Sequence, residues 1–193
     1  MCFCRRESIV SNTEVLRSVC ISTIDSGSGD SLRMISRCIN AVAAWISSGF
    51  GSGYAVVAPG TFGSGAALIF WWLLFGIGAL STPGTQLLLI AATIVVGTVV
   101  VGVCLKGQGV LDPQWIVIDE WAGLFIALFG LAPSQWGLAL VGFVAFRIFD
   151  ATKVGPVGWA ERLPGQYGVM ADDIVAGALA AAVVWGVRWA CSV

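Results

Sequence analysis

From Ala41 to Leu105 the chain carries no charged side chain. That run of about 65 residues is roughly three times what one membrane crossing needs, because about 20 residues at 1.5 Å rise cross about 30 Å of hydrocarbon. A soluble domain is about 25% charged, whereas this chain of 193 residues is 11% charged and 58% hydrophobic. Polar groups are too few to cover its surface, which excludes a soluble globular monomer and, for most of the length, intrinsic disorder. The reading is one all-α, polytopic membrane helical bundle.

The charge-free run divides at turn signals. Ala66 to Leu80 is one candidate span and Gln86 to Leu105 a second, joined into an antiparallel hairpin by Ser81-Thr82-Pro83-Gly84. Ahead of them, Gly49-Phe50-Gly51-Ser52-Gly53 and Pro59-Gly60-Thr61-Phe62-Gly63-Ser64-Gly65 are too rich in Gly for a plain spanning helix. Irregular backbone at membrane depth survives only where protein or a water-filled cavity satisfies it, so this stretch is expected to be a loop or broken helix lining a site. Ile174 to Ala190 is the last apolar helix, and most of the tryptophans fall near span ends, as an interfacial aromatic belt would place them. Residues 1–40 differ in composition, with five Arg and four acids. They read as a polar, flexible extension preceding a membrane-embedded domain over 41–193, with a short amphipathic piece from Leu32 to Ile39 suited to a membrane surface.

Several chemistries drop out. There is no His, which removes Ser-His-Asp hydrolysis, His-ligated zinc and phosphohistidine intermediates. The net charge of −1 leaves no footprint for nucleic acid. The six cysteines show no second pair at zinc spacing, and Cys104 and Cys191, in apolar runs, read as small buried hydrophobes.

The remaining charge is concentrated. Beyond residue 40 there are seven acids, and five of them border apolar helices: Asp119-Glu120 and Asp172-Asp173 each precede one, and Asp150 follows one. A single such acid is accounted for as a solvated cap at a helix N-terminus. Three clusters together ask for neutralisation, by Lys and Arg or by a divalent cation. Oxygen ligands without His or Cys suit Mg²⁺, which takes one or two carboxylates plus phosphate oxygens. Arg147 lies three residues before Asp150, on the same helix face, and Lys153 follows within a turn. The pair is either a plain ion pair or a cationic wall for a phosphate.

Trp121 to Phe146 is again uncharged, but Pro133-Ser134-Gln135 interrupts it. If it crossed a membrane once, Asp119-Glu120 and Asp150 would lie on opposite sides. If it folds back at Pro133, they lie together, and each half is too short to span. The second arrangement also puts Lys106, Arg147 and Lys153 on one side, as the positive-inside tendency prefers. A re-entrant pair is therefore expected.

Four segments, Pro59-Gly60-Thr61-Phe62-Gly63-Ser64, Ile116 to Gly123 around Asp119-Glu120, Phe146-Arg147-Ile148-Phe149-Asp150, and Gly168 to Gly177 around Asp172-Asp173, resemble in order and spacing the motif set of phosphatidylglycerophosphatase A. The resemblance covers residues 40–190. It implies a Mg²⁺-dependent enzyme of the bacterial inner membrane, its active site facing the cytoplasm, that removes the terminal phosphate of phosphatidylglycerophosphate, a phospholipid, to leave phosphatidylglycerol. Carried over by motif, Asp119, Glu120, Asp150, Asp172 and Asp173 are the implied metal-binding and catalytic acids. Thr61, Gly63, Arg147 and Lys153 are the implied neighbours of the phosphate. Relatives commonly have Lys-Pro where Lys153-Val154 stands and Asp at Glu161, so segment 154–167 departs from the pattern. The rival class is a small transporter or channel component, since boundary acids and Gly-interrupted helices also mark ion pathways.

Overall fold

The computed structural model describes residues 30–106 and 113–191. Most of the polar extension, with Cys2, Cys4 and Cys20, lies outside these residues, as does Asp112. The described residues form seven α-helices and no strand. They are α1 (Asp30–Ser47), α2 (Pro59–Gly76), α3 (Pro83–Leu105), α4 (Ile118–Ala127), α5 (Trp136–Thr152), α6 (Pro156–Ala160) and α7 (Gln166–Ala190).

Two compact units divide at Val42/Ala43. Asp30–Val42, the described part of the first, is an amphipathic helical segment that exposes Met34, Ile35 and Ile39. The helix thus runs straight through the 40/41 position where composition changes. The remaining elements belong to the second unit.

Local sequence explains where the helices begin. Thr82 caps α3, its hydroxyl accepting from the Thr85 N–H, with Pro83 at the first helical position. Pro59 likewise opens α2. The Gly-rich stretch from Pro59 is therefore the first two turns of a continuous helix, where a loop or break was expected. Thr61 and Phe62 N–H groups both donate to Ala58 O, so the helix satisfies its own backbone there.

The centre of the unit is α4, ten residues long and so about 15 Å, half a bilayer core. Ile118, Trp121, Ala122, Leu124, Phe125 and Ala127 are all buried, the pattern of a helix enclosed on every side. Helices α2, α3, α5 and α7 pack around it. The expected α2–α3 hairpin is connected as such, but its arms pack chiefly on α4 and not on one another. A turn through Gly130 and Pro133 sends the chain back along α5, as a re-entrant pair requires.

Two close approaches fix this arrangement. Gly123 of α4 and Gly177 of α7 meet main chain to main chain, so that any side chain at Gly177 would collide with Gly123 O. At the turn, Gly130 adopts φ +79° and both its backbone groups are held by side chains. Its N–H donates to Gln86 Oε1 of α3 at 2.8 Å, and its carbonyl accepts from Arg188 Nη1 of α7 at 3.3 Å. Gln86 Nε2 also donates to Leu80 O and Leu131 O.

Helices α3 and α7 are long and apolar enough to cross a membrane. Large apolar side chains point outward all around: Ile69 and Leu73 on α2, Leu88, Val95 and Val99 on α3, Val144 and Ile148 on α5, Trp189 on α7. Some expectations need correction. Trp71 and Trp121 are core residues, 2% and 4% exposed, and not belt residues; Trp121 sits between Phe50, Phe70 and Phe125. Cys104 is buried as expected, near Ser47 Oγ, but Cys191 is exposed because α7 ends there. Helix α7 starts two turns before Ile174, so Asp172-Asp173 lie inside it. Hydropathy begins a helix at its apolar run and misses its polar first turns.

Candidate active site

The first turns of α2, α4 and α7 and the last turns of α5 gather at one end of the unit. Each brings a motif. On α4, Asp119 and Glu120 occupy the first turn, where acids are favoured by the helix dipole. On α7, Asp172 and Asp173 are 6% and 3% exposed. On α5, Arg147 and Asp150 share a face, one turn apart.

Arg147 is the hub. Its Nη1 lies 2.6 Å from Asp150 Oδ2 and 3.2 Å from Glu120 Oε1, so acids from α4 and α5 sit on one guanidinium. That contact confirms that the segment between them turns back. The same Nη1 donates to Ser64 Oγ of α2 at 3.4 Å, and Ser64 Oγ stands 3.1 Å from Glu120 Oε2. Burial pushes the Glu120 carboxyl up to about 7, against the lowering pull of Arg147.

The glycines of α2 now have a reason. A Cβ at Gly60 would collide with Glu120 Oε1 and stand 2.9 Å from Arg147 Nη2; one at Gly63 would stand 3.0 Å from Glu120 Oε2. Their absent side chains let α2 press against the Glu120–Arg147 pair. Gly63 is buried there, whereas Thr61 is exposed.

Lys153 ends α5 in the left-handed conformation, φ +47°. Its Nζ donates to Glu161 Oε1 at 2.7 Å and to Asp172 Oδ2 at 2.9 Å. Burial pulls its ammonium pKa down, but these two carboxylates more than reverse the effect and hold it above the usual lysine value. Glu161, in the segment that departs from the family pattern, is thus tied to the site.

Asp173 is placed differently. Its Oδ1 is buried without a hydrogen-bond partner, and Asp119, Glu120, Asp150 and Asp172 all act on it electrostatically. All five predicted acids therefore lie at the same end, the other four within electrostatic range of Asp173. Among the described residues, no three of them stand close enough to enclose an ion unaided. Two polar residues of this constellation were given no site role from sequence: Ser64, which only closes the Pro59–Ser64 motif, and Glu161, which stands out only as a departure from the family pattern. Ser64 lies one turn from Gly60 on the same face of α2, a signal visible once that stretch is read as helix.

Comparison with known proteins identifies the family. The family model described as Phosphatidylglycerophosphatase A matches residues 45–188. A phosphatidylglycerophosphatase A of Escherichia coli is 38% identical over 146 residues, 73% of this chain and 81% of the relative. One of Haemophilus influenzae is 35% identical over 144 residues, 73% of this chain and 85% of the relative. A Bacteroides thetaiotaomicron protein, provisionally named a phosphatidylinositol-3-phosphatase, is 34% identical over 150 residues, 75% of this chain and 92% of the relative. No solved structure matches. With all four motifs inside the matched region and gathered at one end of the bundle, the chain belongs to the phosphatidylglycerophosphatase A family.

Proposed function

We propose that this chain is a Mg²⁺-dependent phosphatase of the bacterial inner membrane. In this reading it hydrolyses phosphatidylglycerophosphate to phosphatidylglycerol and phosphate, with its site facing the cytoplasm. The observation that carries the reading is the convergence of five carboxylates with Arg147 and Lys153 at one end of an otherwise apolar bundle. The outward-facing aliphatic side chains of α2, α3, α5 and α7 support membrane embedding, because a soluble monomer rarely shows contiguous apolar patches beyond a few hundred Å². Lys106, Arg147 and Lys153 share the site end, which favours a cytoplasmic orientation.

The donor set fits a hard divalent cation. Every candidate ligand is a carboxylate oxygen, and the orphaned Asp173 Oδ1 among four other acids is the kind of buried group that a cation satisfies. Asp119, Glu120, Asp150, Asp172 and Asp173 would hold it, closing in by side-chain rotation. When bound, Mg²⁺ supplies charge neutralisation at the phosphate oxygens and activation of a water.

The chain's own groups supply the rest. Phosphoryl transfer calls mainly for positioning and electrostatic stabilisation. Arg147 offers a planar fork of donors for equatorial phosphate oxygens. Ser64 and the Gly60–Gly63 face hold Glu120 and Arg147 in place. Lys153, pinned by Glu161 and Asp172, brings a second positive charge to the acid cluster. A carboxylate not engaged with the cation takes the proton from the attacking water.

The direct test measures phosphate release from phosphatidylglycerophosphate by the detergent-purified protein. Release is expected with Mg²⁺, to stop with EDTA, and to return when Mg²⁺ is restored. Equal rates with and without EDTA reject the cation requirement, and no release from a folded sample rejects the activity. Replacing Arg147 by Gln is expected to lower kcat/KM about 10²-fold, the usual effect of losing one charge-stabilising donor. Arg147→Lys restores little, because a point charge cannot hold Glu120, Asp150 and Ser64 together. Full activity in Arg147→Lys would assign the residue a purely coulombic role.

A further inference from the structure

Between α2 and α5, one to two turns from the site, lies an apolar cavity of about 320 Å³, at the small end of the range for ligand cavities. Trp71 and Ala139 form its buried floor, Leu68 and Leu140 its walls, and Trp72 and Trp136 its far end. There Trp72 Nε1 reaches Pro133 O at 3.5 Å. No charged residue lines it.

Its position defines its use. The same two helices meet at the site through Ser64 and Arg147. Leu68 follows Ser64 by one turn, about 6 Å, and Leu140 precedes Arg147 by two. The cavity therefore lies along the α2–α5 seam between the site and the opposite end of the bundle, its near edge one turn from Ser64 on α2 and two turns from Arg147 on α5. Its rim, Ile69, Trp72, Trp136 and Leu140, is exposed on the outer surface, so hydrocarbon can enter from the side.

We propose that this cavity is the subsite for one acyl chain of the lipid substrate, holding the part of the chain that follows the headgroup while the terminal phosphate lies at Arg147. The assignment rests on the phosphatase reading above. A chain that leaves membrane hydrocarbon for this cavity gains van der Waals packing and not transfer from water, so a seated chain aligns the phosphate by shape and gives the enzyme a preference for long-chain over short-chain lipid.

Two variants narrow the cavity: Ala139→Phe from the floor and Leu140→Trp from the exposed wall, the latter without disturbing buried packing. The measured quantity is the ratio of kcat/KM for dipalmitoyl to dihexanoyl phosphatidylglycerophosphate in detergent micelles. The ratio is expected to fall about tenfold in both variants. It is expected to hold in Leu87→Trp, an exposed apolar position on α3 away from the cavity. A ratio unchanged in Leu140→Trp overturns the proposal. Failure of the wild type on both lipids sinks the phosphatase reading instead, and the cavity is then tested without turnover. In vesicles, phosphatidylglycerol with a diazirine in one acyl chain is expected to label Leu68–Trp72 and Trp136–Leu140 more than phosphatidylethanolamine with the same chain. Equal labelling by the two headgroups would mean that bulk lipid fills the space, and the subsite would be rejected.

Discussion

Asp173→Asn is expected to lower phosphate release by about 10³-fold, a loss of ~4 kcal/mol in transition-state stabilisation, while the protein folds as well as before or better. Both halves follow from one feature. Asp173 is a buried carboxylate whose Oδ1 has no partner and whose charged neighbours include Asp119, Glu120, Asp150 and Asp172. In the absence of a cation its charge is a liability to the fold, and the isosteric amide removes that liability. In the presence of one, the proposed function makes it a ligand. The checks are steady-state turnover with saturating Mg²⁺ and a thermal melt in EDTA. Turnover near wild type would remove Asp173 from the site. A melting temperature several degrees lower in EDTA would make it a structural residue. Wild-type protein is expected to gain stability from Mg²⁺, and Asp173→Asn to gain much less, because binding to the folded state alone raises stability by mass action.

Gly177→Leu is expected to be the most damaging single change to the fold. A Cβ at Gly177 would overlap Gly123 O and lie 2.9 Å from Gly123 Cα. A backbone obstacle cannot rotate away as a side chain can. Overpacking of a core typically costs about 1–3 kcal/mol, and here the helices must separate, so a loss of about 3 kcal/mol is expected. For a chain of this size that is a drop of about 6–12 °C in Tm. The separation also pulls Asp119-Glu120 away from Asp172-Asp173, so the folded fraction should turn over slowly. Gly186→Ala in the same helix is the control. Nothing lies near a Cβ there, and stability should stay level or rise slightly, since Ala is the better helix former. Equal melting of Gly177→Leu and wild type would refute the contact.

The helical class, the apolar long helices and the fold-back at Pro133 were legible because each rests on strong local physics. Charge is costly in hydrocarbon, and a ten-residue helix cannot cross it. The acid clusters and Arg147 were legible for the same reason, since few charges remain once the apolar segments are set aside. What was not legible depends on contacts between elements distant in sequence. Gly60 and Gly63 read as loop formers, yet they serve a helix that must pass close to Glu120. Trp71 and Trp121 read as belt residues because hydropathy does not tell lipid from protein interior. Ser64 and Glu161 draw their significance from Arg147 and Lys153, partners 83 and eight positions away.

The knot at Gly130 has a mechanical consequence. Gln86 and Arg188 clamp the tip of the α4–α5 hairpin to the two longest helices, so that tip acts as a pivot and resists displacement. The other end is held by side-chain ion pairs, by Ser64 Oγ donating to Glu120 Oε2, by the Val117 N–H donating to Ser47 O, and by the segment from Lys153 to Gln166, where Gly155 and Gly165 both take positive φ. Movement of the site end relative to this tip would therefore turn about Gly130.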